Sequence, residues 1–89
     1  MTLLVQLPGG ESDQFVDEMR PSSRAGGNRT YYEWVDYEYR VGDDQSLSVV
    51  RRVCESWYHS SGEHRDLHVI EEGEVAVYQR HQWTRAQPD

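Results

Sequence analysis

The sequence predicts an α+β fold: a small three- to four-stranded sheet, ordered β-β-α-β-β, with one main amphipathic helix on one face. Three observations carry that reading. Residues 30–41 alternate apolar and polar side chains, as a half-buried strand does. Residues 46–58 repeat apolar residues at helical spacing. Beyond residue 64, two more alternating runs are separated by Glu71-Glu72-Gly73. At 89 residues the chain holds one small domain, residues 1–89, with no room for a second core.

The elements follow in order. Leu3, Val5 and Leu7 share a face and Pro8-Gly9-Gly10 then turns the chain, so residues 2–7 are a short strand. Phe15, Val16 and Met19 suit one face of a short helix over residues 11–20, capped by Ser12 and ended by Pro21. From Pro21 to Arg29 no bulky apolar residue occurs, and residues 8–29 as a whole are expected to be loop-rich or partly mobile. In the long strand, Val35, Tyr37, Tyr39 and Val41 face one way, while Asp36, Glu38 and Arg40 face the other. Tyr32 and Trp34 fall on the polar side, which requires a bulge or two exposed rings. Gly42-Asp43-Asp44 then forms a turn.

The helix is expected next. At about 100° per residue, Val50, Cys54, Trp57 and Tyr58 fall within about 80° of Leu47. Asp43, Asp44 and Ser46 supply cap candidates and negative charge at the N-terminal end of its dipole. His59-Ser60-Ser61-Gly62 ends it. In the C-terminal hairpin, a three-residue loop at 71–73 puts Leu67, Val69, Val75 and Val77 on one face, with Gly73 in the left-handed position. The polar tail, residues 84–89, is expected to fray. A right-handed β-α-β crossover joins the long strand to the hairpin, and the first strand pairs at an edge. The second sheet face, where Tyr32, Trp34, Ile70 and Tyr78 project, has no covering helix and is expected to bury itself in a partner.

Charge narrows the function. Nine basic residues, all arginine, stand against 16 acidic ones, for a net charge of -7. Polyanion binders need a basic face, so no nucleic-acid partner is expected. No apolar run reaches the roughly 20 residues of a membrane span, and the N-terminus lacks the basic region of a signal peptide. The lone Cys54 forms no internal disulfide. Absence of lysine fits a GC-rich genome or a high-salt, halophile-like surface, and the expectation is a cytoplasmic protein of prokaryotic or viral origin.

Chemistry-bearing residues are sparse. Cys54, His59, His64 and His68, with His81 in reserve, are the residue types that zinc takes. Their spacing fits poorly: Cys54 and His59 lie about 140° apart on a helix, and a cysteine in an apolar stripe usually packs as a small hydrophobe. A Cys/His nucleophile would need an exposed, electropositive thiol, whereas Cys54 is expected to be buried. Glu71 and Glu72 form a solvated pair without a pocket to shift a pKa. Gly9-Gly10 and Gly26-Gly27 lack the context of a phosphate loop. Neither catalytic residues nor a cofactor are therefore expected. Tyr31, Tyr32 and Trp34 beside Arg24 and Arg29 could stack bases, but Glu33, Asp36 and Glu38 share the segment, which suits a core or a protein-binding surface better.

The run Tyr37-Glu38-Tyr39-Arg40-Val41-Gly42-Asp43-Asp44-Gln45-Ser46-Leu47-Ser48-Val49-Val50-Arg51-Arg52-Val53 resembles the opening of small output domains of halophilic archaea, in which a strand leads through an acidic turn and a Ser-Leu-Ser step into a Val-rich helix. The acidic Leu-rich segment that follows in that family is missing here. The resemblance implies a non-enzymatic signalling or regulatory module acting through protein contacts, and it transfers no functional residue. Together these points lead to a small acidic protein-binding or regulatory module, bound to another protein or to itself as a homodimer, with Tyr32, Trp34, Ile70 and Tyr78 at the contact. Two alternatives stand beside it. One is an acidic inhibitor imitating nucleic acid, with Asp36, Glu38, Glu55, Glu71, Glu72 and Glu74 clustered. The other is a small zinc domain built on Cys54, His59, His64 and His68.

Overall fold

A computed structural model of the chain describes residues 2–22 and 27–88, and of residues 65–67 the backbone alone. The fold is all-β, and the described residues contain no helix. Seven strands, β1 (Thr2–Gln6), β2 (Ser12–Val16), β3 (Glu18–Pro21), β4 (Arg29–Val41), β5 (Leu47–His59), β6 (His64–Tyr78) and β7 (Arg85–Pro88), form two antiparallel sheets. One sheet has the order β2-β1-β7 and the other is a meander, β3-β4-β5-β6.

The expected main helix is the central strand β5. Thirteen consecutive pairs, from Arg29↔His59 to Val41↔Leu47, lock it to β4 without interruption. A strand paired on both edges can bury both of its faces, and β5 does so. Leu47, Val49 and Val53 are buried on one side and Val50 and Cys54 on the other. Apolar residues at 47, 50 and 54 therefore have helical spacing by coincidence of two buried faces. The β-branched content of Val49, Val50 and Val53 favours the extended form. The supposed cap residues build a hairpin loop instead. Gly42 N–H donates to the Ser46 carbonyl (2.9 Å), Gln45 N–H donates to Gly42 O (2.9 Å), and Gln45 takes φ 62°. The Asp44 carboxylate accepts from Ser46 N–H (3.0 Å) and Ser46 Oγ (2.7 Å). Asx-type bonding serves turns and helix caps alike, which is why the sequence signal was two-valued. The Val-rich segment that resembles an archaeal helix is thus a strand here.

Three further expectations change. The short helix over residues 11–20 is replaced by β2 and β3, which pair with β1 and β4. Within the span 8–29, residues 12–16 and 18–21 are strands, and residues 23–26 lie outside the described residues. The C-terminal hairpin is one continuous strand, with Gly73 opposite Arg51 rather than in a turn. Two bulges explain the misreading: Val75 and Ile70 are each an extra residue on β6, at the register shifts beside Val49/Val50 and Val53/Cys54. Each bulge reverses the alternation, so the side-chain pattern mimics two short strands. Residues 85–88 form β7 and pair with β1, while Asp89 lies outside the described residues.

The first strand and the long strand form as expected, and the turn at Pro8-Gly9-Gly10 closes with Gly10 N–H on Leu7 O (3.1 Å). β1 belongs to its own small sheet, which lies on one face of the meander near the 42–46 loop. Leu3 and Val5 there meet Leu47 and Val49, ringed by Phe15, Tyr37, Tyr78, Trp83 and Ala86. Full burial of side chains such as Val5 and Leu47, both 0% exposed, stabilises by about 1.5–3 kcal/mol each. Layering is confined to this end. The radius of gyration is 16.5 Å and the extents are 52 × 23 × 19 Å, against about 12 Å for a compact chain of this length.

Candidate functional site

Strand parity and register assign each meander side chain to one of two faces. The small sheet covers one; no element packs on the other among the described residues. Across this open face runs an apolar row contributed by all four strands: Met19, Trp34, Cys54 and Val69, each paired with the next. Its ends are exposed, Met19 by 64% and Val69 by 46%, while Cys54 at its centre is 4% exposed. Burial raises the Cys54 thiol pKa, and Asp36 adds to the shift, so the sulfur is a packed hydrophobe.

On one side of this row lies an ionic one. Arg52 donates through Nε to Asp36 Oδ1 (2.8 Å) and through Nη2 to Asp36 Oδ2 (2.9 Å), a bidentate pair that raises the guanidinium pKa. Arg40 Nη2 donates to Glu38 Oε1 (2.6 Å) and Glu72 Oε1 (2.7 Å), tying β4 to β6 across β5. On the other side, the hydroxyls of Tyr32 and Tyr58 are hydrogen-bonded at 2.9 Å, and the rings stack with centroids 5.6 Å apart. That hydrogen bond is the main cause of the raised Tyr32 pKa.

The covered face holds a polar row, Arg20, Glu33, Glu55 and His68, again one from each strand. Arg20 Nε lies 3.0 Å from Glu33 Oε2. Glu55 is 4% exposed, and His68 Nδ1 is buried with no hydrogen-bond partner among the described residues. The Arg29 guanidinium lies 4.0 Å over the Trp57 ring. A cavity of about 200 Å³ at the seam of the sheets, lined by Leu3, Asp17, Tyr37, Glu38, Tyr39 and Pro88, is below the roughly 300–1,000 Å³ of usual ligand pockets.

The residues singled out in the sequence divide. Tyr32 and Trp34 come together on the open face, with no bulge in β4. Ile70 is the bulge residue beside Val69 and is 49% exposed. Tyr78 lies on the covered face, where its hydroxyl donates to Asp13 Oδ2 (2.5 Å). Desolvation first, and then that bond, push its pKa up to about 12. Sequence reasoning missed Met19, Tyr58 and Val69 as open-face residues, because β3 and the bulges of β6 carry no periodic signal.

The alternatives fare as follows. Of the six carboxylates proposed to cluster, Asp36, Glu38, Glu72 and Glu74 lie on the open face, the first three paired with arginines, while Glu55 and Glu71 pair with the covered-face residues Glu33 and Val53. Cys54 is on the open face, His68 is on the covered one, and His59 Nδ1 is held by Ser61 (2.6 Å) in the 59–63 loop. Among the described residues no three His, Cys, Asp or Glu side chains come together to hold a metal. No helix among them is long and apolar enough to cross a membrane. No family model, curated protein or solved structure matches the chain.

Proposed function

We propose that this chain is a non-enzymatic protein-binding module whose contact surface is the open face of the meander. The observation that carries the reading is the apolar row Met19–Trp34–Cys54–Val69, flanked by a tyrosine pair and an ordered ionic network, with no element among the described residues packed upon it. Centrally placed aromatic and aliphatic anchors with a polar rim are the usual anatomy of protein interfaces. The contact is drawn by Tyr32, Trp34, Met19 and Val69, while Tyr78 serves the core.

A photoreactive amino acid placed at Met19 or Val69, in the native host, tests this. Val16, 59% exposed on β2, is the control position. Protein adducts are expected from positions 19 and 69 and not from 16. Equal labelling at all three, or none at 19 and 69, would refute the reading.

A further inference from the structure

Going beyond the binding reading, we infer that Tyr32 and Tyr58 form a modification site, at which one-electron oxidation joins β4 to β5 through a carbon–carbon bond between the two rings. Tyr32 stands opposite Ser56, so Tyr58 takes the diagonal position on the neighbouring strand, within reach of an aromatic side chain. The hydroxyl oxygens are 2.9 Å apart and the ring centroids 5.6 Å, with the ring planes inclined by 26°. The rings therefore converge toward their hydroxyl ends, and the edges ortho to the hydroxyls lie nearer each other than the ring centres do. The ortho carbons are where a phenoxyl radical carries unpaired spin and couples.

Placement makes the pair selective. The chain has six tyrosines. Tyr31, Tyr37, Tyr39 and Tyr78 project from the covered face, which leaves Tyr32 and Tyr58 as the two on the open one. Tyr37 packs on Phe15, with centroids 5.4 Å apart, and the Tyr78 hydroxyl donates to Asp13. Tyr58 is 49% exposed and so open to an oxidant in solution.

The reaction balances with a peroxide-driven oxidant such as a haem peroxidase. One hydrogen peroxide takes an electron and a proton from each phenol and leaves as two waters. The two phenoxyl radicals couple ortho to ortho, and each ortho hydrogen then moves to its ring oxygen, restoring both hydroxyls. The net change is the loss of two hydrogen atoms and the gain of one carbon–carbon bond. The product is an internal cross-link, which the single Cys54 cannot supply.

Peroxidase with hydrogen peroxide, applied to the full chain in dilute solution, tests this. At about 10 μM protein, an effective concentration of at least about 1 mM within the pair favours coupling inside a molecule about 100-fold over coupling between molecules. The expected product is a monomer of 10.4 kDa, lighter by two hydrogen atoms and showing dityrosine fluorescence. Trypsin, which cuts after arginine, should release residues 30–40 joined to residues 53–65, and Tyr58 is the one tyrosine in the second fragment. Fragmentation should place the other end on Tyr32. Tyr32→Phe and Tyr58→Phe should each lower the yield of linked monomer at least about 10-fold with unchanged circular dichroism, while Tyr39→Phe should leave it intact. Chain unfolded in urea should show no preference for this pair. A wild type without the 32–58 link overturns the inference, whatever else is oxidised. So does a link that maps to another pair, survives either of the first two substitutions, or forms equally well in urea.

Discussion

Replacing Gln45 by glycine tests the central correction of the fold with an effect of opposite sign under the two assignments. Gln45 stands at φ 62° in the 42–46 hairpin loop, a backbone region that costs a residue with a Cβ about 1–2 kcal/mol. Glycine removes that cost but restores unfolded-chain entropy, which offsets about 0.4–1 kcal/mol. Both interactions of Gln45 in the loop are through its backbone: its N–H reaches Gly42 O and its carbonyl accepts from Trp83 Nε1 (3.0 Å). Glycine preserves them. The net expectation is a gain of about 0.5–1 kcal/mol, or about 2–8 °C in Tm for a chain of this size. Were residues 46–58 a helix, glycine at its start would not stabilise, and inside the first turn it would cost up to about 1 kcal/mol. Thermal and urea unfolding by circular dichroism, at matched protein concentration, measure the difference. A Gln45→Gly variant less stable than wild type would refute the hairpin.

Further expectations follow from the same geometry. Arg52→Gln breaks the bidentate bond to Asp36, and a loss of about 1–3 kcal/mol in urea unfolding is expected, since charge-assisted bonds at a part-buried site are involved; a change under about 0.5 kcal/mol would show that the pair is merely decorative. Cys54 should resist thiol labelling at pH 8 in the native state and react at the ordinary rate in denaturant, because burial raises its pKa; rapid native labelling would contradict its place in the sheet. Tyr78, with its pKa raised to about 12 in the fold against the ordinary 10, stays protonated in the folded state where the unfolded chain has ionised. Its contribution is therefore complete below pH 10 and is lost between pH 10 and about 12, so Tyr78→Phe should flatten the alkaline loss of stability seen in wild type. Leu47→Ala, at a position 0% exposed, should cost about 2–5 kcal/mol.

What the sequence discloses depends on how many faces of an element are buried. β1 and β4 were legible because each has a single apolar alternation, Leu3/Val5 and Val35/Tyr37, that a strand on one layer must show. β5 was not, because Val49 and Val50, neighbours in sequence, are both buried, on opposite faces. Its period disappears, and the remaining spacing imitates a helix. β6 was read as a hairpin because the bulges at Ile70 and Val75, two of its three register shifts, re-phase the alternation on either side of Glu71-Glu72-Gly73. β2, β3 and β7 are short and mostly exposed, so pairing partners far along the chain specify them rather than local preference. Of the contact surface, Tyr32 and Trp34 stood out as rings on a charged side of a strand. Met19 and Val69 became visible only when the register brought them into line with Trp34.

The placement of β1 between β2 and β7 sets a tempo for folding. Three consecutive hairpins can assemble the meander from neighbours in sequence, each closing a short loop at small entropic cost. The small sheet cannot follow at that pace, because Leu3 is matched with Pro88 and Gln6 with Arg85, nearly the whole chain apart. On a ribosome delivering residues in order, Leu47 and Val49 are therefore made long before the lid that shelters them is complete. Through that interval the future core and the apolar row of the opposite face are both bare, and the net charge of -7 opposes association between such chains.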